Sequence, residues 1–301
     1  MATFASMVTG CTEELEPRVD SDLVESDRLQ LGRVHVVLEP VDTDGWEVVE
    51  GLEVTARFAF VRGLDEDFVR ARIDMPVLAH QILRPSDCGI SDQLAATSES
   101  EIDAAEPREL FLVDAGDLSV RLPDARLDVP LSLVPDLLPY MTGVEYVYYG
   151  DHIPTPADDG ALLVEASGSQ SGDLSPFRVE GDIPEPLELT VSDADLAELM
   201  EDALVLRWRP GHDNGVDNTV TVRLTPLLGD EPVGDELTCV LQDQGASRLD
   251  LGKLRALGLP TFADGLRIEA SRLSSRSFDA GTFTNAELVI ERRDRIAVPL
   301  R

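Results

Sequence analysis

Apolar and polar positions alternate along most of this chain. The stretch "RVHVVLEPVDTDGWEVVEGLEVTARFAFVRG" (33–63) does so on both sides of Asp44-Gly45, a pair that tolerates the positive φ of a tight hairpin turn. Leu52, Val54, Phe58 and Phe60 fall on alternate positions and are expected to line one sheet face. "DFVRARIDM" (67–75) and "RELFLVDAGDLSVRLPDARLDVPLSLV" (108–134) repeat the pattern, and "GVEYVYYGDHIP" (143–154) and "GALLVEASGS" (160–169) read as further strands. Between Cys88 and Pro107, "CGISDQLAATSESEIDAAEP" is polar and rich in Ala, Ser and Glu, so a long exposed excursion without strands is expected there.

"SPFRVEGDIPEPLEL" (175–189) marks a boundary. Pro184 and Pro186 fix two φ angles and remove two donors, which predicts extended chain between two cores. Beyond it, "ALVLRWRPGHDNGVDNTVTVRLTPL", "GDELTCVLQDQGASRLDL", "GLRIEASRLSSRSFDAG" and "TNAELVIERRDRIAVPL" are strands at hairpin spacing. Only "SDADLAELMEDAL" and "DLGKLRALGL" read as helical, the first opening with a capping box of Ser192 and Asp195. Short strands at regular intervals with few helices predict an all-β chain of β-sandwich type with only short helical turns.

A length of 301 residues suits two domains of about 100 to 200 residues each. No apolar run reaches the length of a membrane-spanning helix, so membrane association would require an anchor. The formal charge is −33, with 58 acids against 25 bases, which excludes binding to the phosphate backbone of nucleic acid. Lys253 is the only lysine and every other base is arginine. The acids are read as a solubilising surface in preference to a calcium-loaded one, because calcium needs oxygens converging on a point.

The first residues suggest that anchor. Val8-Thr9-Gly10-Cys11 resembles the lipobox of bacterial lipoproteins, in which a small residue precedes the cysteine that is acylated. Residues 12–27 then hold seven acids and one base around Pro17, the composition of a solvated tether. Met1 to Gly10 has no basic region and a weak apolar stretch, so a translation start upstream of Met1 is expected. The alternative is a cytoplasmic chain in which the motif is fortuitous. With Cys11 acylated, Cys88 and Cys239 remain as a possible disulfide; their 151-residue separation and assignment to different domains favour two separate thiols slightly.

The order of "LFLVDAGDLSV", "VYYGDHIP", "GSQSGDLSPFRVEGDIPEPLELT", "LVLRWRPGHDNGVDNTVTVRL", "LTCVLQDQG", "RLSSRSFDAG" and "AELVIERRDRIAVPL" over residues 110–301 resembles a loosely defined group of uncharacterised Gram-negative bacterial lipoproteins. These carry a W-x-P-G segment, here Trp208, Pro210 and Gly211. A T-C-x-V-x-D-x-G strand follows, here Thr238, Cys239, Val240 followed by Leu241, Asp243 and Gly245. The resemblance implies an N-terminal β domain and a C-terminal Ig-like β-sandwich. The expected organisation is a residual signal and lipobox segment (1–11), an acidic tether (12–28), an N-terminal β domain (29–182) with its polar loop at 88–107, and an Ig-like sandwich (183–301).

Motifs that carry chemistry are scarce. "GSQSG" (168–172) has Gln170 where a nucleophile elbow needs a hydroxyl, and reads as a turn. His35, His80, His152 and His212 are scattered, without metal-ligand spacing. Asp213, Asn214, Asp217 and Asn218 gather hard oxygens, yet Asn-Gly and Asp-Asn are what a hairpin needs, and the same holds for "DTDGW" (42–46). Trp208 is read as core; Tyr146 and Tyr148 share a strand face with Tyr149 on the other, so one side of that strand could be exposed for binding. The resulting expectation is a lipid-anchored cell-envelope protein, facing the periplasm or at the outer membrane. It would be a non-catalytic binding or structural module with no cofactor, meeting an envelope protein or glycan. A calcium-dependent carbohydrate-binding adhesin and an acidic β-sandwich hydrolase with a pair of carboxylates are the alternatives.

Overall fold

The computed structural model describes residues 29–41, 49–95, 108–138, 141–153, 160–199, 202–211 and 218–300. Cys11, the tether, the turn around Asp44-Gly45, and Asp213, Asn214 and Asp217 lie outside the described residues. The first strands are β1 (Leu29–Val41), β2 (Val49–Arg62), β3 (Cys88–Ile90), β4 (Glu109–Leu112), β5 (Leu118–Arg121) and β6 (Arg126–Val129). They are followed by β7 (Leu131–Leu138), β8 (Met141–Ile153), β9 (Ala161–Ala166), β10 (Phe177–Asp182), β11 (Ala203–Arg207) and β12 (Thr219–Leu228). The last are β13 (Glu231–Pro232), β14 (Leu237–Gln242), β15 (Ala246–Asp250), β16 (Gly265–Ala280) and β17 (Phe283–Pro299). Short helices accompany them: α1 (Glu66–Arg72), α2 (Ala79–Ile82), α3 (Ser91–Ala95), α4 (Asp193–Glu198) and α5 (Leu251–Leu257).

The fold is all-β and sandwich-like. One 11-stranded sheet runs in the order β3-β14-β12-β16-β17-β1-β2-β4-β8-β7, with β13 paired to β12. The four-stranded sheet β10-β9-β5-β6 and the ribbon β11-β15 are separate. The pairing of β1 with β2 extends from Leu29↔Val61 to Val41↔Val49, the hairpin expected around Asp44-Gly45. Its even residues Val34, Val36 and Leu38 meet Leu52, Val54 and Phe58, together with Leu118, Val120, Leu162, Val164 and Val179 of the four-stranded sheet, in a first core. A second core joins Val220, Val222, Leu237, Cys239, Leu266 and Ile268 of the large sheet to Leu204 and Leu206 of β11, Leu249 of β15, and Leu254 of α5.

The chain passes between these cores from Ile183 in the first to Leu187 in the second. The sheet itself does not stop there. The tip of the β16–β17 hairpin (Ala280, Phe283, Ala286, Leu288) belongs to the first core, its other end (Ile268, Val298) to the second, and Cys88 and Ile90 also pack on the second. Parallel pairing of β1 with β17, Arg33↔Glu287 through Leu38↔Arg292, joins the two halves edge to edge.

Two local expectations are corrected. "DFVRARIDM" forms α1 and not a strand: Asp65 caps it by accepting from Phe68 N, and Glu66 pairs with Arg70 one turn on at 2.8 Å. Val69 and Ile73 satisfy both a period of two and an i,i+4 spacing, and they bury under the helix against Leu31, Ala59 and Val61 of the large sheet. Nor is 88–107 strandless, since β3 and α3 occupy its beginning and β3 forms the edge of the large sheet. The helices at Ser192 and Asp250 form as expected, with the Ser192–Asp195 capping box complete and Asp250 accepting from Lys253 N.

The extended linker is held by buried arginines. The side chains of Arg272 and Asp243 are each 1% exposed and paired, with Nε to Oδ2 at 2.7 Å. Arg272 Nη1 donates to Glu185 O at 2.8 Å and its Nη2 to Arg209 O at 2.9 Å, while Trp208 Nε1 donates to Asp243 Oδ1 at 2.8 Å. Trp208 is accordingly core, as expected. Arg292 donates to Pro184 O at 3.2 Å and is paired with Glu50 of β2. Replacing Arg272 by Met would leave the buried Asp243 carboxylate without its countercharge and Glu185 O without its guanidinium donor, and should lower the unfolding free energy by about 3–5 kcal/mol in denaturant titration. A loss within about 1 kcal/mol would place the linker's support elsewhere.

Candidate functional site

On the large-sheet face opposite the two main cores, the strands present polar side chains. Segment 73–95 crosses over this face, with α2 packed on β12 and β14. A cleft of about 410 Å3 lies beneath it, floored by Arg33 and His35 of β1, Thr221 and Arg223 of β12, Ser271 of β16, and Glu291 and Arg293 of β17. Asp74, Pro76, Leu78, Ser91 and Leu94 form its wall. Alternation explains the floor. In β17, Leu288 and Ile290 point into the first core, which turns Glu291 and Arg293 to the other face.

Glu291 is the centre of the cleft and is 3% exposed. Its Oε2 accepts from His35 Nε2 at 3.0 Å and from Arg293 Nη2 at 2.9 Å, and Arg223 Nη2 lies 3.6 Å from its Oε1. A carboxylate can only accept, so the proton of this pair sits on His35 Nε2. Burial pushes the Glu291 carboxyl up, but the His35 hydrogen bond and the Arg293 charge outweigh it and hold the group well below the ordinary carboxylate range. Arg293 is pulled down by burial and raised on balance by Glu291 and Glu269. Glu269 extends the network, accepting from Arg223 Nη1 at 2.9 Å and Arg295 Nη2 at 3.4 Å across the strand register. Arg33 grips Glu287 at 2.7 Å through Nη2 and holds the covering segment by donating from Nη1 to Pro76 O at 2.7 Å.

Of the histidines singled out in sequence, His35 is the one among the described residues that floors this cleft. Cys88 and Cys239 are directly opposed in β3 and β14 and form a disulfide, which corrects the expectation of two separate thiols. Residue spacing carries no information on such a contact because loop length does not determine strand pairing. Gly168 to Gly172 is a turn, with Gly172 N donating to Ser169 O at 3.2 Å. The tyrosines alternate as expected. Tyr146 is buried, donating to Asp114 Oδ1 at 2.6 Å and accepting from Ala115 N, while Tyr149 is 68% exposed. The side chains of His152 and His212 lie outside the described residues. Among the described residues, no group of three His, Cys, Asp or Glu side chains is placed to hold a metal ion. The floor arginines and Glu291 were missed; the signal was their place on the polar side of β-alternation, shared with many other charges here.

Because Glu291 is depressed, it stabilises the folded state above the ordinary carboxylate pKa, and that contribution is lost as pH falls through the folded value. Unfolding of wild type and Glu291→Gln between about pH 7 and pH 3 should therefore converge toward the acid end; a constant gap would mean that Glu291 does not titrate low. Against known proteins, the chain matches no family model and no curated protein sequence.

Proposed function

We propose that this chain is a lipid-anchored, non-catalytic binding module of the cell envelope. It would be held to the membrane through Cys11 and present the covered cleft to a polar ligand of an envelope partner. The observation that carries the binding reading is the state of Glu291. It is held ionised among His35, Arg223 and Arg293, and as an acceptor it fixes the positions of these donors in the cleft. Hydroxyls of Thr221, Ser271 and Ser91 and the guanidinium edges of the floor complete a lining suited to hydrogen-bonded recognition.

The Val8-Thr9-Gly10-Cys11 sequence and the acidic run after it support the anchor. A disulfide between Cys88 and Cys239 supports residence in an oxidising compartment. The polar stretch from Thr12 to Arg28 would carry the folded part clear of the bilayer surface. The test is fractionation and intact mass of the protein expressed with its upstream reading frame. Membrane recovery with a mass for cleavage before Cys11 plus acyl chains is expected, and a soluble chain retaining Met1 would overturn the anchor.

A further inference from the structure

Segment 73–95, which walls the cleft, is fastened differently at its two ends. At the α1 end, Ile73 and Met75 are buried in a third apolar cluster with Leu31, Val61 and Leu110. From Pro76 to Leu94 no residue is fully buried, and the apolar contact with the second core is made by the partly buried Cys88 and Ile90 at the distal end, so little apolar area holds the strap down before them. Its distal end is β3, a three-residue strand at the sheet edge. There the backbone ties are Ser86 N to Val240 O at 2.7 Å, Val240 N to Asp87 O at 3.0 Å and Ser91 N to Glu236 O at 2.9 Å. The hydroxyls of Ser91 and Thr238 meet at 2.7 Å. Asp74 and Ser86 sit at φ 50° and 78°, in the left-handed region that costs a non-glycine residue, near the two ends of the exposed stretch. The disulfide from Cys88 to Cys239 is the strongest fastening of the distal end.

We propose that Cys88–Cys239 is a redox latch on the cleft: closed, it holds the strap against β14, and opened by a dithiol reductant, it releases residues 76–95 while the two main cores stay folded. Cys239 is wholly buried and Cys88 half-buried, so the incoming thiolate attacks the Cys88 sulfur. The sulfur–sulfur bond breaks, Cys239 leaves and takes a proton, and the reductant's second thiol displaces Cys88. Two electrons pass to the protein, leaving two thiols and an oxidised reductant. The strap then retains the edge-strand hydrogen bonds, the Ser91–Thr238 and Arg33–Pro76 contacts, the packing of α2 on β12 and β14 and the partly buried Ile90, with no covalent tie to β14. The latch rests on the cleft being the binding seat, but its opening is measured without ligand.

The experiment is hydrogen exchange by mass spectrometry on the full chain carrying Cys11→Ser, oxidised and after dithiothreitol, with diethylpyrocarbonate labelling of His35 in parallel. Reduction should speed exchange of 76–95 by about tenfold or more and raise His35 labelling, with β12, β16 and β17 amides unchanged. The Cys88→Ser/Cys239→Ser variant should match the reduced protein in either condition. An unchanged strap would overturn the latch. Exchange rising equally through the core strands would also overturn it, by showing the disulfide to be a staple of the whole fold. An opening strap over a cleft that binds no envelope component would leave the latch standing and remove the binding reading.

Discussion

Two guanidiniums shut away from solvent hold the chain where it passes from one core to the other. The segment around Pro184 and Pro186 belongs to no ladder, so its carbonyls need donors from elsewhere. Arg292 serves Pro184, and Arg272 serves Glu185 and Arg209, each arginine backed by a buried carboxylate, Glu50 or Asp243. Desolvating such ions costs several kcal/mol apiece, and their mutual attraction roughly offsets it. Their consequence is therefore geometric more than energetic: either partner alone would be a stranded charge, so the linker has one permitted path. A planar fork that donates to a carboxylate on one side and carbonyls on the other is a task for arginine and not for lysine, consistent with a chain that keeps a single lysine, on α5.

The cleft depends on the strand pairing of the large sheet. Its floor takes His35 from the strand that opens the described chain and Arg223, Glu291 and Arg293 from strands of the last third, side by side only because β1 runs parallel to β17. Without the β1–β17 pairing, His35 would leave Glu291, and the hydrogen bond that helps to lower its carboxyl would be lost. The strap closes the cleft over this floor. Floor and cover differ in burial, since the sheet strands pack fully buried apolar side chains on their far face and the strap between Pro76 and Leu94 has none that is fully buried.

Local features of this fold were legible in the residues, and long-range ones were not. Alternation around Asp44-Gly45 predicted the β1–β2 pairing, the Ser192–Asp195 box predicted α4, and the prolines at 184 and 186 predicted extended chain. Helix α1 was misread because Val69 and Ile73 fit both periods, and only the Asp65 cap distinguishes them. The disulfide, the parallel pairing of β1 with β17 and the cleft share a different cause. Each joins residues far apart in the chain, 151 positions for the disulfide and 256 for His35 and Glu291, and no single-chain pattern encodes which strand edge meets which. Glu291 looked like any other acid in a chain with 58 of them.

One continuous sheet and one arginine-held linker tie the two cores into a single cooperative body. Scanning calorimetry of the intact, oxidised chain tests it directly. The structure predicts one transition whose van't Hoff enthalpy equals the calorimetric enthalpy. Two separable transitions, or a van't Hoff value near half the calorimetric one, would contradict it.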